Sequence, residues 1–268
     1  MPEGPSIVIF REETAKFVGQ TILRVDGNTK IEKERLLHQR VLDIRSWGKH
    51  YLMVFDGFSL RVHFMLFGSY RIDERRDSEP RLSMRFKNGE LNLYACSVQF
   101  IEGDLDNTYD WSSDVMSDAW DAEKAREKLL ALPNAYACDA MLNQNVFSGV
   151  GNIIKNEVLF RIRVHPLSLI GSLSSRKLNE LISQARQYSF EFLEWKKAYV
   201  LRKHWLAHTK SICPRCNIPF SKGKLGRTQR RSFYCERCQK LYAVKTAAVK
   251  KPVRSSKKKK AARRTTPA

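Results

Sequence analysis

The 268-residue chain lacks any apolar run of membrane-spanning length. Its N-terminus also lacks the basic region, apolar stretch and small-residue cleavage site of a secretory signal. An intracellular protein with no membrane partner is therefore expected. No internal repeat of solenoid period is present, which excludes a stacked-repeat architecture. Cysteine is scarce outside two short motifs. Of the six, at positions 96, 138, 213, 216, 235 and 238, four fall in two CxxC pairs, a metal pattern rather than a disulfide framework. Acid is also in short supply, with 48 Lys plus Arg against 28 Asp plus Glu and a net charge of +20. From Lys245 onward there are ten basic residues and no acid, so residues 1–244 still carry +10. Such an excess points to a polyanionic partner, nucleic acid ahead of an anionic membrane.

A chain of this length can bury a real core and divides naturally into two or three units. Residues 4–18 are expected to be helical, with Ile7, Ile9, Phe10 and Phe17 among charges. From about 20 to 102 the pattern alternates at period two, in TILRVDG, RVLDIRSW, HYLMVF, FSLRVHF, GSYRID, LSMRF, LNLYA and SVQFI. Asp56-Gly57 and Asn88-Gly89 are hairpin signals within it. Short strands joined by tight turns predict an antiparallel sandwich or barrel. The acidic stretch 103–123 is expected to be a linker into a helical unit of about four helices, by period and length. The expected organisation is α+β and multidomain: a β-sandwich with its first helix over 1–120, helices over 121–205, a four-cysteine finger over 206–244 and a disordered basic tail over 245–268. The tail has almost nothing to bury, and serves either as a solubilising end or as a DNA-tracking or localisation segment.

Three segments carry chemistry. Cys213-Pro-Arg-Cys216 and Cys235-Glu-Arg-Cys238 have the spacing of a closed four-cysteine site, which predicts one structural zinc ion with no catalytic water. Redox-active thiols are the competing reading of CxxC. Between the pairs, GRTQRRSFYC sets Arg227, Arg230 and Arg231 before two aromatics, a hairpin suited to a DNA groove or phosphate. In NQNVFSGVGNIIKNE, Gly149 and Gly151 break the pattern before a helix that starts at about Asn152. A glycine turn there either offers backbone N–H groups to a DNA phosphate or simply joins two helices. The chain opens MPEGP. Removal of Met1 would leave Pro2 with a free secondary amine beside the Glu3 carboxylate, a nucleophile with its own acid/base group. Alternatively, Pro2 starts a helix, where its missing N–H does no harm.

PEGP, the lysine of GKHYL, QxxFxGVGN before a helix and RRSFYCERCQ occur in that order from Pro2 to about Gln239. In these motifs the chain resembles the formamidopyrimidine-DNA glycosylase/endonuclease VIII family of base-excision enzymes. The resemblance implies a helix–two-turn–helix domain over 121–205 and roles for particular residues. Pro2 would attack C1′ of the damaged nucleotide and form a Schiff base as the base leaves. Glu3 would open the sugar and move protons through the β,δ-elimination that cuts the strand. Lys49 would contact phosphate beside the lesion, and Asn152 and Arg230 would grip the phosphates around the extruded nucleotide. Met65, Leu66 and Phe67 would fill the gap in the duplex as a wedge. In a strand, three successive apolar side chains cannot all face one core, so some must be exposed or lie on a loop.

Four departures from the family pattern stand out. Ser6 replaces a frequent glutamate, and Asn145 stands where purine-acting members usually carry lysine. YACSVQFIEGD contains no Arg-x-Phe wedge, and the basic tail is extra. The contiguous wedge and QxxF resemble the endonuclease VIII branch. The expectation is a monomeric, bifunctional DNA glycosylase/AP lyase acting on oxidised pyrimidines, hydantoins and abasic sites. The alternatives are a purine-preferring member of the same family, a non-catalytic zinc-ribbon nucleic-acid binder, or a ribosome-associated protein.

Overall fold

The computed structural model describes residues 2–243. The basic tail expected over 245–268 lies outside the described residues. Helix α1 (Gly4–Thr14) is followed by a 3-10 turn to Phe17, so the expected helix 4–18 tightens at its end. Glu3 is its N-cap residue and Pro5 supplies the proline of its first turn. Pro2 therefore precedes the cap, and the helix-starting role belongs to Pro5 instead.

Six strands follow: β1 (Arg24–Asp26), β2 (Asp43–Trp47), β3 (His50–Val54), β4 (Phe58–Ile72), β5 (Leu82–Phe86) and β6 (Gly89–Glu102). They form one antiparallel sheet in the order β1-β5-β6-β4-β3-β2. The Asp56-Gly57 and Asn88-Gly89 signals fall at the β3–β4 and β5–β6 turns. The eight alternating segments become six strands because β4 and β6 each absorb two. They pair through both halves of the sheet, from Phe58↔Glu102 to Ile72↔Leu91. The expected sandwich thus takes the form of one continuous sheet. Its core draws Leu60 and Val98 from one half and Leu82 and Leu91 from the other, with α1 as a lid. Phe10 of α1 meets the rings of Tyr51 and Tyr70 at 4.2 and 4.0 Å.

The register of β4 breaks between Phe64↔Cys96 and Ser69↔Tyr94, so residues 65–68 lie opposite Ala95 alone. Ala95 takes φ +47. This bulge carries Met65, Leu66 and Phe67 out of the sheet.

The helical unit contains α2 (Ala122–Leu130), α3 (Ala137–Ala140), α4 (Asn152–Arg161) and α5 (Ser175–Lys197) around its own core of Phe147, Ile154, Val158, Leu181 and Tyr188. Asp121 and Ser174 cap α2 and α5 by accepting from backbone N–H groups of their first turns. Periodicity carries α5 to about residue 203, but the helix stops at Lys197 and the chain reverses at Tyr199, with φ +59. A hairpin, β7 (Ser221–Leu225) with β8 (Arg230–Tyr234), completes the described fold. Phe220 of this last unit packs against Phe160 of α4.

Candidate active site

The first turn of any α-helix leaves N–H groups without intrahelical partners and concentrates partial positive charge. In α4 no local side chain caps them. Glu3 does so from the other end of the chain. Its carboxylate accepts from Gly151 N at 3.2 Å, Ile153 N at 2.7 Å and Ile154 N at 3.2 Å. A Cβ on residue 151 would fall 2.3 Å from Glu3 Cδ, so this approach requires glycine. Burial pushes the Glu3 carboxyl above the usual carboxylate range, against the opposing pull of Ile153 N–H, the Lys49 charge and the other two N–H groups. A carboxyl in this setting can hold a proton and surrender it to a nearby base.

Lys49 follows the tight β2–β3 turn at Gly48, with φ +54. Burial lowers its pKa, Glu3 opposes that shift, and the Arg230 charge adds to it. Glu3, Lys49 and Arg230, drawn from three separated stretches of sequence, therefore act on one another electrostatically. The turn is fixed by backbone contact. Gly4 N donates to Gly149 O at 2.8 Å. A Cβ at residue 4 would come within 2.9 Å of Gly149 Cα, and one at residue 48 within 2.0 Å of Ser148 Oγ. Gly48 N donates to Asp114 Oδ2 at 2.9 Å, and Met116 N to Asp114 Oδ1 at 2.9 Å. Asp114 is buried, and burial raises its pKa to about 6 against these two hydrogen bonds. The segment expected to be a plain linker is thus a structural strut.

Three further residues escaped the sequence reading. Lys155, Asn156 and Glu157 are all buried in the middle of α4, and each holds a different neighbour. Lys155 Nζ donates to Arg231 O at 3.1 Å and Ser232 Oγ at 2.8 Å. Asn156 Oδ1 accepts from Phe233 N at 3.2 Å. The Glu157 carboxylate accepts from Leu206, Ala207 and His208 N–H groups at 2.9, 2.9 and 2.7 Å. Burial pulls the Lys155 ammonium down to about 8. The available signal was three successive polar residues in a short helix with little amphipathic bias. At the hairpin tip, Asp139 of α3 accepts from Arg227 N at 2.7 Å and Thr228 N at 3.0 Å. The arginines are thereby set against the helical unit.

The other predicted residues fall as follows. Pro2 is half-buried and borders a cleft of about 940 Å³ that also reaches Leu66, Ile153 and Trp205. Asn152 is the first residue of α4, and its Oδ1 is buried without a hydrogen-bond partner among the described residues. Arg230 is exposed at the start of β8. Met65, Leu66 and Phe67 are 53%, 60% and 83% exposed, as a protruding wedge requires. Cys213, Cys216, Cys235 and Cys238 bring their Sγ atoms within 4.8 Å of one another. Four sulfurs at about 2.3 Å from one ion in a tetrahedron stand roughly 3.8 Å apart. Cys213 Sγ and Cys238 Sγ are 3.8 Å apart, so the cluster fits a metal ion. His204 stacks on Trp195 and His208 contacts Asn156, and neither joins the cluster. Cys96 and Cys138 are buried. No helix among the described residues is long and apolar enough to cross a membrane.

Comparison with known proteins agrees with this arrangement. The formamidopyrimidine-DNA glycosylase N-terminal domain matches residues 1–99, and the formamidopyrimidine-DNA glycosylase H2TH domain matches residues 113–199. Endonuclease 8-like 2 of Mus musculus is 32% identical over 196 residues, covering 67% of this chain and 57% of the relative. Endonuclease 8-like 3 of Mus musculus is 28% identical over 206 residues, covering 74% of this chain and 34% of the relative. The chain thus spans about a third of the length of that relative. Among solved structures, Lactococcus lactis formamidopyrimidine-DNA glycosylase bound to DNA containing an abasic site superposes with a TM-score of 0.77. The match has 22% identity and covers 88% of this chain and 99% of that one. At that identity the likeness is one of fold.

Proposed function

This chain belongs to the formamidopyrimidine-DNA glycosylase/endonuclease VIII family, on its endonuclease VIII-like side, and on that premise we propose that it is a base-excision DNA glycosylase with AP lyase activity. The Glu3 carboxyl carries the proposal. It sits beside Pro2, is sealed from water, and is held above its ordinary pKa on the N-terminus of α4. After loss of Met1 the Pro2 amine attacks C1′ of the damaged nucleotide, the base departs, and a Schiff base remains. An N-terminal α-amine suits this step because the adjacent peptide carbonyl makes it less basic than a lysine side chain and more easily unprotonated at neutral pH. Glu3 supplies the proton that opens the sugar and takes part in those moved during β,δ-elimination. Lys49, Asn152 and Arg230 hold the phosphates beside the extruded nucleotide. In this proposal the protein acts on DNA inside the cell as a monomer.

The four cysteines hold one structural zinc ion in this proposal, with every coordination position filled by thiolate. Its contribution is to fix the hairpin that presents Arg230. The exposed Met65-Leu66-Phe67 bulge fills the vacated duplex. With apolar groups there, the enzyme has few hydrogen bonds with which to read the opposite base. Oxidised pyrimidines and hydantoins, which unstack cheaply, are therefore its preferred lesions ahead of 8-oxoguanine opposite cytosine.

Borohydride trapping on damaged oligonucleotides tests the proposal. A stable covalent adduct is expected on Pro2, greatly reduced in Pro2→Gly and in protein that retains Met1. Glu3→Gln should fold and bind DNA without excising the base. Mass spectrometry that located the adduct on a lysine would overturn the assignment.

A further inference from the structure

Helix α5 ends in a conformation its sequence does not favour. Tyr199 N donates to Lys196 O at 3.1 Å and Val200 N to Trp195 O at 2.9 Å, the paired bonds of a Schellman turn. The residue at the centre of such a turn is left-handed, and glycine is the default because a Cβ crowds the next carbonyl. Tyr199 takes φ +59 there. Its side chain finds no compensating burial, because at 95% it is the most exposed large hydrophobic residue among those described. Glycine would end the helix with less strain. The ring's place calls for a ligand.

Its surroundings indicate which ligand. Tyr199 lines the cleft of about 940 Å³ that also reaches Pro2 and Ile153. Lys196, Arg202 and Lys203, its neighbours in sequence, line the same cleft. That volume lies within the range of about 300–1,000 Å³ common to sites that enclose small molecules. Exposed aromatic rings set among cations are the platforms on which proteins stack bases while cations follow the backbone. Pro2 borders the same cleft, so the ring faces the space in which the proposed reaction takes place.

We infer that Tyr199 is the stacking platform for the base of the extruded nucleotide, holding the flat face of the base while Pro2 attacks the sugar carbon that bears it. The inference rests on the glycosylase proposal and adds a specificity-determining residue to it. Stacking of this kind requires a base to be present.

Tyr199→Gly and Tyr199→Phe in the whole chain provide the test, on two oligonucleotides. One carries an oxidised pyrimidine and the other a preformed abasic site, which has no base to stack. Tyr199→Gly is expected to melt no lower than the parent and to cleave the abasic site at the parent's rate. It should lose about tenfold in single-turnover base excision, the size of effect when one base–aromatic stack is removed. Tyr199→Phe keeps the ring and should match the parent on both substrates. The inference is overturned if Tyr199→Gly excises the base at the parent's rate, loses both activities equally, or melts below the parent. A parent that neither excises bases nor cleaves abasic sites would overturn the glycosylase proposal itself, and the stacking role with it.

Discussion

Gly151 adopts φ −122 and ψ −162, a backbone that alanine tolerates. A methyl group there still strikes the Glu3 carboxylate, so Gly151→Ala acts on the carboxylate rather than on the backbone. Glu3 must leave the α4 terminus, leaving three N–H groups without their acceptor. A loss of about 1–3 kcal/mol in stability is expected. Excision should fall by roughly 100-fold, the lower end of what general acid–base catalysis contributes. Unchanged single-turnover excision in Gly151→Ala would remove Glu3 from its role. Asp114 makes a prediction about pH. Its folded pKa of about 6 stands above the ordinary 3.8, so its contribution to stability is fully present below 3.8 and is lost as pH rises through 6. The difference is worth roughly 3 kcal/mol. Urea unfolding of the parent and Asp114→Asn at about pH 3 and about pH 7 should show the parent losing that much relative to the variant. Parallel profiles would count against it. Neither Glu3–α4 nor Asp114–Gly48 was legible in the sequence. Both carboxylates bind backbone N–H groups, which every non-proline residue carries, across separations of 150 and 66 residues. Such partners leave no complementary residue type to read. The four cysteines were legible because each pair of ligands is local.

At the scale of elements, the same contrast holds. The alternation located the strands, while the three apolar residues at 65–67 broke it and made β4 look like two. That break is the bulge, so the interruption was itself the signal for it. The end of α5 was hidden for another reason, since a tyrosine occupies the position where glycine would have announced the turn. The bulge supports a prediction. Leu66 is 60% exposed, so Leu66→Ala should change stability by no more than about 0.5 kcal/mol. It should slow excision from duplex DNA more than from single strands, because only the duplex has a gap to fill. Equal slowing on both substrates would deny the wedge its function.

Across the whole molecule, α4 is the common support. Its N-terminus takes Glu3 from the sheet unit, Lys155 and Asn156 hold β8, and Glu157 holds the loop at 206–208. The hairpin is therefore fastened at two places, by α4 and by its cysteines. Removing the metal with a chelator should release the cysteine end, displace Arg230 and abolish DNA binding, with one zinc ion per chain recovered. Metal-free protein that binds DNA as tightly as before would contradict this.

The contact of Gly4, Gly48 and Gly149 joins the start of α1, the Lys49 turn and the approach to α4, and a Cβ on Gly149 would fall 3.3 and 3.4 Å from the Cα atoms of the other two. Backbone meets backbone there, and no side chain can adjust to absorb an error. The two halves of the protein thus work as a coincidence detector. Glu3 is buried against its three N–H donors only when the sheet turn and the helix terminus are both in register. A chain still folding, or one cut between the halves, would carry Pro2 beside an exposed, ordinary carboxylate, without the buried and proton-retaining Glu3 on which the proposed excision depends.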